Sequence, residues 1–547
     1  MTRTLRRSLR IMIAAGVLIA LVFATEYVLE RVVRKKSVEA LANFCGPQSK
    51  VTMSAMDVDV FAGDMHWTNV RVERSEDGLF ADDDARAFHI AGTIDTVAVE
   101  GLSLLRLLFG GSFVAHSLRI SHPDLRVQLR NDTLPHQAEK TPEGLISAVR
   151  IMAFQLDRGA LHVFRAGHAG PLLAIEQLDM QAAGAIADFE EGDAPNVEFV
   201  TITGEGSDIA ASLSPLYDLH VACVELSRGG TQLQVIEATL QPLAGPEDYG
   251  KLVPFETDLL SLYTDTVLAT GLDINVSIAQ RGLRTSKLLL AGVKGDLHRD
   301  KTLPDAPYSK KRLPISGLRN LPFTVNVDSL CLQRWRMHYH ERGELGPDYG
   351  EVLFSDINGT VTGLNSADTL GGNEVHLVAQ AKAYEQALVS VDVRTSMSAP
   401  NEHFTLSATI GAIPIEVFNR MTTDLVAVRA TAGRINNVNY RITGDDDHAA
   451  GRVDVSYQDL EISVLKQDGS GEENRLKTSA ANLLVRSKNL RTDDGLRHGD
   501  FAIDREQDRA VFKYVWTGLR EGMLAAMLPG ALDDLRKSSK PDPRSKH

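Results

Sequence analysis

The chain has 547 residues, of which 43 % are hydrophobic and only 6 % aromatic, with 43 glycines and a formal net charge of -14. So high an apolar fraction excludes a disordered chain, and few aromatics with many glycines suit numerous strands and turns. The acidic balance argues against a nucleic-acid partner, because phosphate contact needs a basic face. Three scattered cysteines, Cys45, Cys223 and Cys331, exclude a disulfide scaffold and any CxxC site.

Residues 1–10 form a basic segment carrying Arg3, Arg6, Arg7 and Arg10, followed by the uncharged run IMIAAGVLIALVFAT from Ile11 to Thr25, which includes Leu18, Leu21 and Phe23. Two readings compete: a signal peptide cleaved after Val22-Phe23-Ala24, and an uncleaved anchor over 11–29. The apolar pattern continues past Glu26 through Tyr27, Val28, Leu29, Val32 and Val33 without a helix breaker. This favours the anchor, with a juxtamembrane helix over 30–50. The arginines before the span place the N-terminus in the cytoplasm and the bulk of the chain across the membrane.

From Val51 the pattern is that of strands. Val58, Val60, Met65, Trp67, Val70 and Val72 alternate with polar residues, interrupted by single-residue slips that predict bulges. Ile94 and Val97 continue the alternation. Next, Leu102, Leu104, Leu105, Leu107, Leu108 and Phe109 crowd into about two turns of predicted helix, stopped by Gly110-Gly111. Leu118 and Ile120 resume an extended pattern, and Pro123 breaks it. The helix, with Leu102, Leu105, Leu108 and Phe109 as its apolar side chains, is expected to cap the end of a sheet and cover its edge groups.

A first β region is predicted over 51–298, interrupted by the polar gap NDTLPHQAEKTPEG. The proline-rich segment 299–322 reads as a linker to a second β region over 323–509, which contains Val325, Val327, Val453 and Val455 in alternation. Gly444–Gly451, GDDDHAAG, reads as a polar hairpin connection. An amphipathic helix is expected over 510–530, with a stripe of Phe512, Val515, Trp516, Leu519, Met523 and Met527 docking on the sheet. A basic tail, 531–547, follows.

Motifs that carry chemistry are scarce. His338 and His340 occupy one face of a strand, the start of a metal site, but no third ligand stands at a recognisable spacing, so both are read as ordinary strand histidines. Asp82–Asp84 and Asp445–Asp447 lack the glycine and glutamate spacing of a calcium loop and read as charged turns. TGEGSDIA, from Thr203, has Ile209 where a dinucleotide fingerprint needs its third glycine. With no GxSxG, HExxH or Walker sequence, no catalytic residue, metal or cofactor is predicted, and the chain is not expected to be an enzyme.

The order of N-terminal anchor, GDMHWTNVRV, FHIAGTIDTVAVEGLSLLRLLFGGSFVAHSLRISHPDLRVQL and a long strand-rich region resembles the AsmA-like proteins, relatives of TamB grouped with the chorein-type bridge-like lipid transfer proteins. VRATAGRINNVNYRITG and GRVDVSYQDLEISVL resemble their C-terminal parts. The resemblance implies a mainly β fold: a bacterial inner-membrane helix, then a long curved sheet in the periplasm with an apolar groove for phospholipid acyl chains. It implies a role in lipid transport and outer-membrane homeostasis, with other envelope proteins as partners. Val58, Val60, Ile94, Val97, Leu118, Ile120, Val325, Val327, Val453 and Val455 are the expected groove residues. Two alternatives stay open: an outer-membrane protein assembly factor acting through strand edges, and a tethered periplasmic β-sandwich that is an enzyme or binds glycans.

Overall fold

A computed structural model describes residues 35, 49–74, 88–103, 106, 111–129, 147–165, 170–188, 196–279, 281–343, 348–367, 373–466, 471–491 and 496–528. The anchor residues Ile11, Leu18, Leu21 and Phe23, most of the juxtamembrane segment, the capping residues Leu105, Leu108 and Phe109, and the basic tail lie outside them. Among the described residues no helix is long and apolar enough to cross a membrane. The fold is mainly β, with short helices and a longer one over Val511–Met527. Two compact units divide it: residues 1–213 with 220–233, and residues 214–219 with 234–547.

In the first unit, β1 (Ser49–Thr52) and β2 (Ala55–Asp59) lie in line along β3 (Asp64–Arg74). The ladder continues through β4 (Phe88–Glu100), β5 (Ser112–Leu129), β6 (Ala148–Arg165) and β7 (Leu173–Asp188). Along β7 lie β8 (Asn196–Glu198) and β9 (Thr201–Ser214). β10 (Tyr217–Ser227) and β11 (Gln232–Pro242) fall where the units divide.

In the second unit β12 (Asp258–Leu272) pairs with both β13 (Gly282–Ala291) and β14 (Lys294–Asp300), two halves of one line bent at Gly292, whose φ of 66° suits glycine. β15 (Thr324–Arg342), β16 (Tyr349–Asn365), β17 (Glu374–Ala383), β18 (Ala387–Ser396) and β19 (Phe404–Ile410) follow in chain order. β19 and the short β20 (Ile413–Pro414) share β21 (Val428–Gly444), which pairs with β22 (His448–Val464), and β22 with β23 (His498–Asp504).

Two junctions are parallel: β5 with β6, and β13 and β14 with β15. A parallel neighbour needs a long crossover to return the chain to the same end. This accounts for the two polar gaps in the sequence. Residues 130–147 connect β5 to β6, and residues 301–323, which cover most of the segment read as an inter-region linker, connect β14 to β15 inside the second unit. Pro314 opens a short helix there, Pro314–Arg319, whose Ile315 packs with Val375 and Met397.

Slips in the sequence alternation coincide with left-handed residues. Asn69, His122, Arg158 and Asp208 have φ between 48° and 52°; the apolar residues flanking the first two, Trp67 and Val70, Ile120 and Pro123, are three apart rather than two, and a glycine takes one flanking place at the others, Gly159 and Gly206. The extra residue restores the side chains beyond it to the original face.

Candidate functional site

Register assembles one apolar face in the first unit. Trp67 lies opposite Val97, Val97 opposite Ile120, Ile120 opposite Leu156, and Leu156 opposite Met180. A second row runs Met65, Val99, Leu118, Phe154 and Ala182. Because of the bulges, Leu125, Leu161 and Ile175 extend the same face beyond Asn69 and its counterparts. Every member of the Trp67–Met180 row is half-buried. The second row is more covered: Met65 and Val99, each 4 % exposed, join the buried cluster that holds Leu102, and Ala182 is 7 % exposed, while Leu118 and Phe154 are half-buried. Among the described residues no helix packs on β3 to β7.

Five of the expected groove residues converge here: Val58, paired with Met65; Ile94, opposite Val70 and Pro123; and Val97, Leu118 and Ile120. Val60 packs against the cluster that holds Leu102. Leu102, the one described member of the expected capping set, is buried among Met56, Val58, Met65, Val99 and Ala115, and its N–H donates to the Gly63 carbonyl at 2.8 Å. A cleft of 440 Å³ is lined from the opposite face of these strands by Ala98, Glu100, Arg119, Gln155, Gln181 and Thr203, and it also touches Leu118, Phe154 and Ala182 of the second row.

The second-unit residues meet a different environment. Val453 and Val455 are 0 % exposed and belong to a core with Tyr440, Tyr457, Phe501 and Ala526. They are covered by protein, not presented to a ligand. The cover includes the helix Val511–Met527, which docks as expected with Val515, Leu519, Met523 and Met527 of the stripe packed against the core, but with its contact face turned away from Phe512 and Trp516. Its buried positions are Tyr514, Gly518, Glu521, Gly522, Ala525 and Ala526, while Phe512 and Trp516 are 49 % and 37 % exposed. Bulky Tyr440, Val453 and Phe501 already fill the strand surface, so the helix approaches with its small residues, and the Tyr440 hydroxyl donates to the Val515 carbonyl at 2.9 Å. Val327 is 1 % exposed and sits opposite Leu364, and the Val325 N–H donates to Ser366 Oγ.

The Asp445–Asp447 turn is more than a solvated connection. Asp446 pairs with the buried Arg505 and with Lys310, and Asp447 accepts from Gln507. A second charge cluster joins Glu256 to Arg299 at 2.8 Å and to Arg509 at 2.9 Å. These pairs tie residues 505–509 to the crossover and to the start of β12.

The histidines acquire partners that spacing did not reveal. Parallel pairing sets Asp296 opposite His338 and His298 opposite His340. Asp296 Oδ1 is 3.8 Å from His338 Nδ1 and 3.8 Å from His340 Nε2. On the other side Glu351, on β16, stands 3.5 Å from His338 Nε2 and 3.9 Å from His340 Nδ1. The His298 ring stacks on His340 at 4.3 Å. Burial, reinforced by His338 and His298, holds the His340 pKa below its ordinary value; burial also lowers that of His298. The signal available in sequence was the matching of Asp296-x-His298 with His338-x-His340, two strands each offering metal-ligating types at alternate positions.

No family model matches the chain, and no curated protein matches it.

Proposed function

We propose that the first unit binds phospholipid acyl chains on its apolar face, and that the chain is a membrane-anchored, AsmA-like lipid-binding or lipid-transfer protein of the bacterial periplasm. The observation that carries this reading is the half-buried row Trp67, Val97, Ile120, Leu156 and Met180. The row is contiguous across five neighbouring strands, and acyl chains are a chemically matched cover for such a face. The arginine-flanked run from Ile11 supplies the tether in this reading, and outer-membrane or other envelope proteins are the partners it calls for. Val453, Val455, Val327 and Val58 leave the proposed lipid-contacting set because the protein's own side chains bury them.

Site-specific photo-crosslinking in cells tests the proposal. A photoreactive residue at Ile120 or Val97 is expected to capture phospholipid, while one at Arg119, on the cleft side, or at Val455, within the helix-covered core, is not. Crosslinks to protein alone at Ile120 and Val97 would replace this reading with a sandwich or an assembly factor. Lipid captured at Arg119 but not at Ile120 would reverse the face.

A further inference from the structure

Asp296, His338 and His340 have no task in lipid binding, yet their arrangement is that of a ligand set. Zinc bound by nitrogen and carboxylate oxygen at about 2.0–2.2 Å holds its ligand atoms about 3.3 Å apart in a tetrahedron. Both imidazole nitrogens here stand 3.8 Å from Asp296 Oδ1, and the three ligand atoms all lie within 4.8 Å of one another. Contraction by about half an ångström closes each imidazole on Asp296 and by at most about 1.5 Å closes the two imidazole nitrogens on each other, shifts that side-chain torsions supply. The backbone places them without any loop: Asp296 and His338 are register partners on adjacent parallel strands, and His340 follows on the same face.

Glu351 supplies the second, independent feature. It faces His338 Nε2 and His340 Nδ1, the two nitrogens turned away from Asp296. A carboxylate accepting the N–H of a ligating imidazole fixes the tautomer and aims the other nitrogen's lone pair at the metal. Neither His338 Nε2 nor His298 Nδ1 makes a hydrogen bond in the structure.

We propose that Asp296 Oδ1, His338 Nδ1 and His340 Nε2 bind one late first-row divalent metal ion, zinc by the chemistry of the set, with Glu351 as the orienting outer carboxylate. Two imidazoles disfavour calcium and magnesium, which take oxygen ligands. Three protein ligands leave a fourth position open to water. The metal clips β14 to β15, the parallel junction formed by the 301–323 crossover, on the face opposite Tyr339. Binding to the folded chain alone therefore stabilises it.

The test uses the full-length, tag-free chain in detergent, stripped with a chelator and titrated with zinc chloride by calorimetry, with visible absorption of Co²⁺ as a second readout. One zinc per chain is expected, with a rise in Tm. Asp296→Asn and His340→Ala should each abolish stoichiometric binding and the Tm rise, Glu351→Gln should weaken binding about 10–100-fold, and His220→Ala, remote in sequence and exposed, should change neither. Absence of zinc binding, or equal binding by Asp296→Asn and the parent chain, overturns the site. Asp296 is half-exposed, so its substitution keeps the test decisive even if His340→Ala misfolds. Lipid capture at Ile120 is a separate measurement and stands or falls independently.

Discussion

Gly499 on β23 meets Gly522 on the C-terminal helix so closely that a methyl group on Gly499 would lie 1.9 Å from the Gly522 carbonyl oxygen. Neither backbone can yield without moving the helix off Val453 and Phe501. Gly499→Ala is expected to lower stability by about 1–3 kcal/mol and to expose the helix to protease. Denaturant unfolding and limited proteolysis check this; an unchanged midpoint and cleavage pattern would contradict the docking geometry.

Arg505 is the anchor of the β21–β22 turn. Its side chain is 0 % exposed and pairs with Asp446, and it also donates to the Lys311 carbonyl. Removing the arginine leaves Asp446 facing Lys310 alone and empties a buried position. Arg505→Ala should cost about 3–5 kcal/mol, measured by urea unfolding, whereas Arg441→Ala, a largely exposed residue 3.7 Å from Asp454, should cost under about 1 kcal/mol.

Asp445 makes the same turn sensitive to acid. Its carboxylate accepts the backbone N–H of His448 at 2.8 Å and of Asp447 at 2.9 Å, and those bonds hold its pKa below the ordinary aspartate value. A pKa depressed on folding contributes stability above the unfolded value, about 3.9, and loses it as pH falls through the folded value. Asp445→Asn should therefore reduce the acid-side slope of stability below about pH 4. Parallel slopes for the two proteins would show that the bonds do not bias the carboxylate.

At Asp208, φ is 52°. Glycine enters that region freely, and a β-branched side chain does not. Asp208→Gly should be near neutral, and Asp208→Val should cost about 1–3 kcal/mol, read from thermal unfolding. Equal effects would mean that the bulge can be ironed out.

Strand alternation and its slips were legible in sequence because a side chain's face follows from parity alone. The break between Trp67 and Val70 marked the bulge at Asn69, and the polar gaps marked the crossovers, although nothing local said that the paired strands would be parallel. What parity omits is the layer above. Val97 and Val455 sit in identical patterns, yet one is half-buried and the other sealed, because the cover over Val455 comes from a helix more than fifty residues further on. Asp296 escaped notice for a related reason: it lies 42 positions before His338 (338 − 296) and reaches it only through a parallel register. The helix stripe was legible at Val515, Leu519, Met523 and Met527, which pack on the core, and not at its edges: hydrophobicity favoured Phe512 and Trp516, while close approach to the strands selected Gly518 and Gly522.

The ladder in chain order has an evolutionary consequence. Between β15 and β19 each step, β15 to β16, β16 to β17, β17 to β18 and β18 to β19, joins strands consecutive in sequence, antiparallel every time. Excising β17 and β18 together would leave β16 and β19 still antiparallel, with their free edges ready to meet, whereas excising one strand would reverse every later direction. Growth and loss by whole hairpins is therefore the permitted mutational step along this stretch, and related chains should differ in length by even numbers of strands.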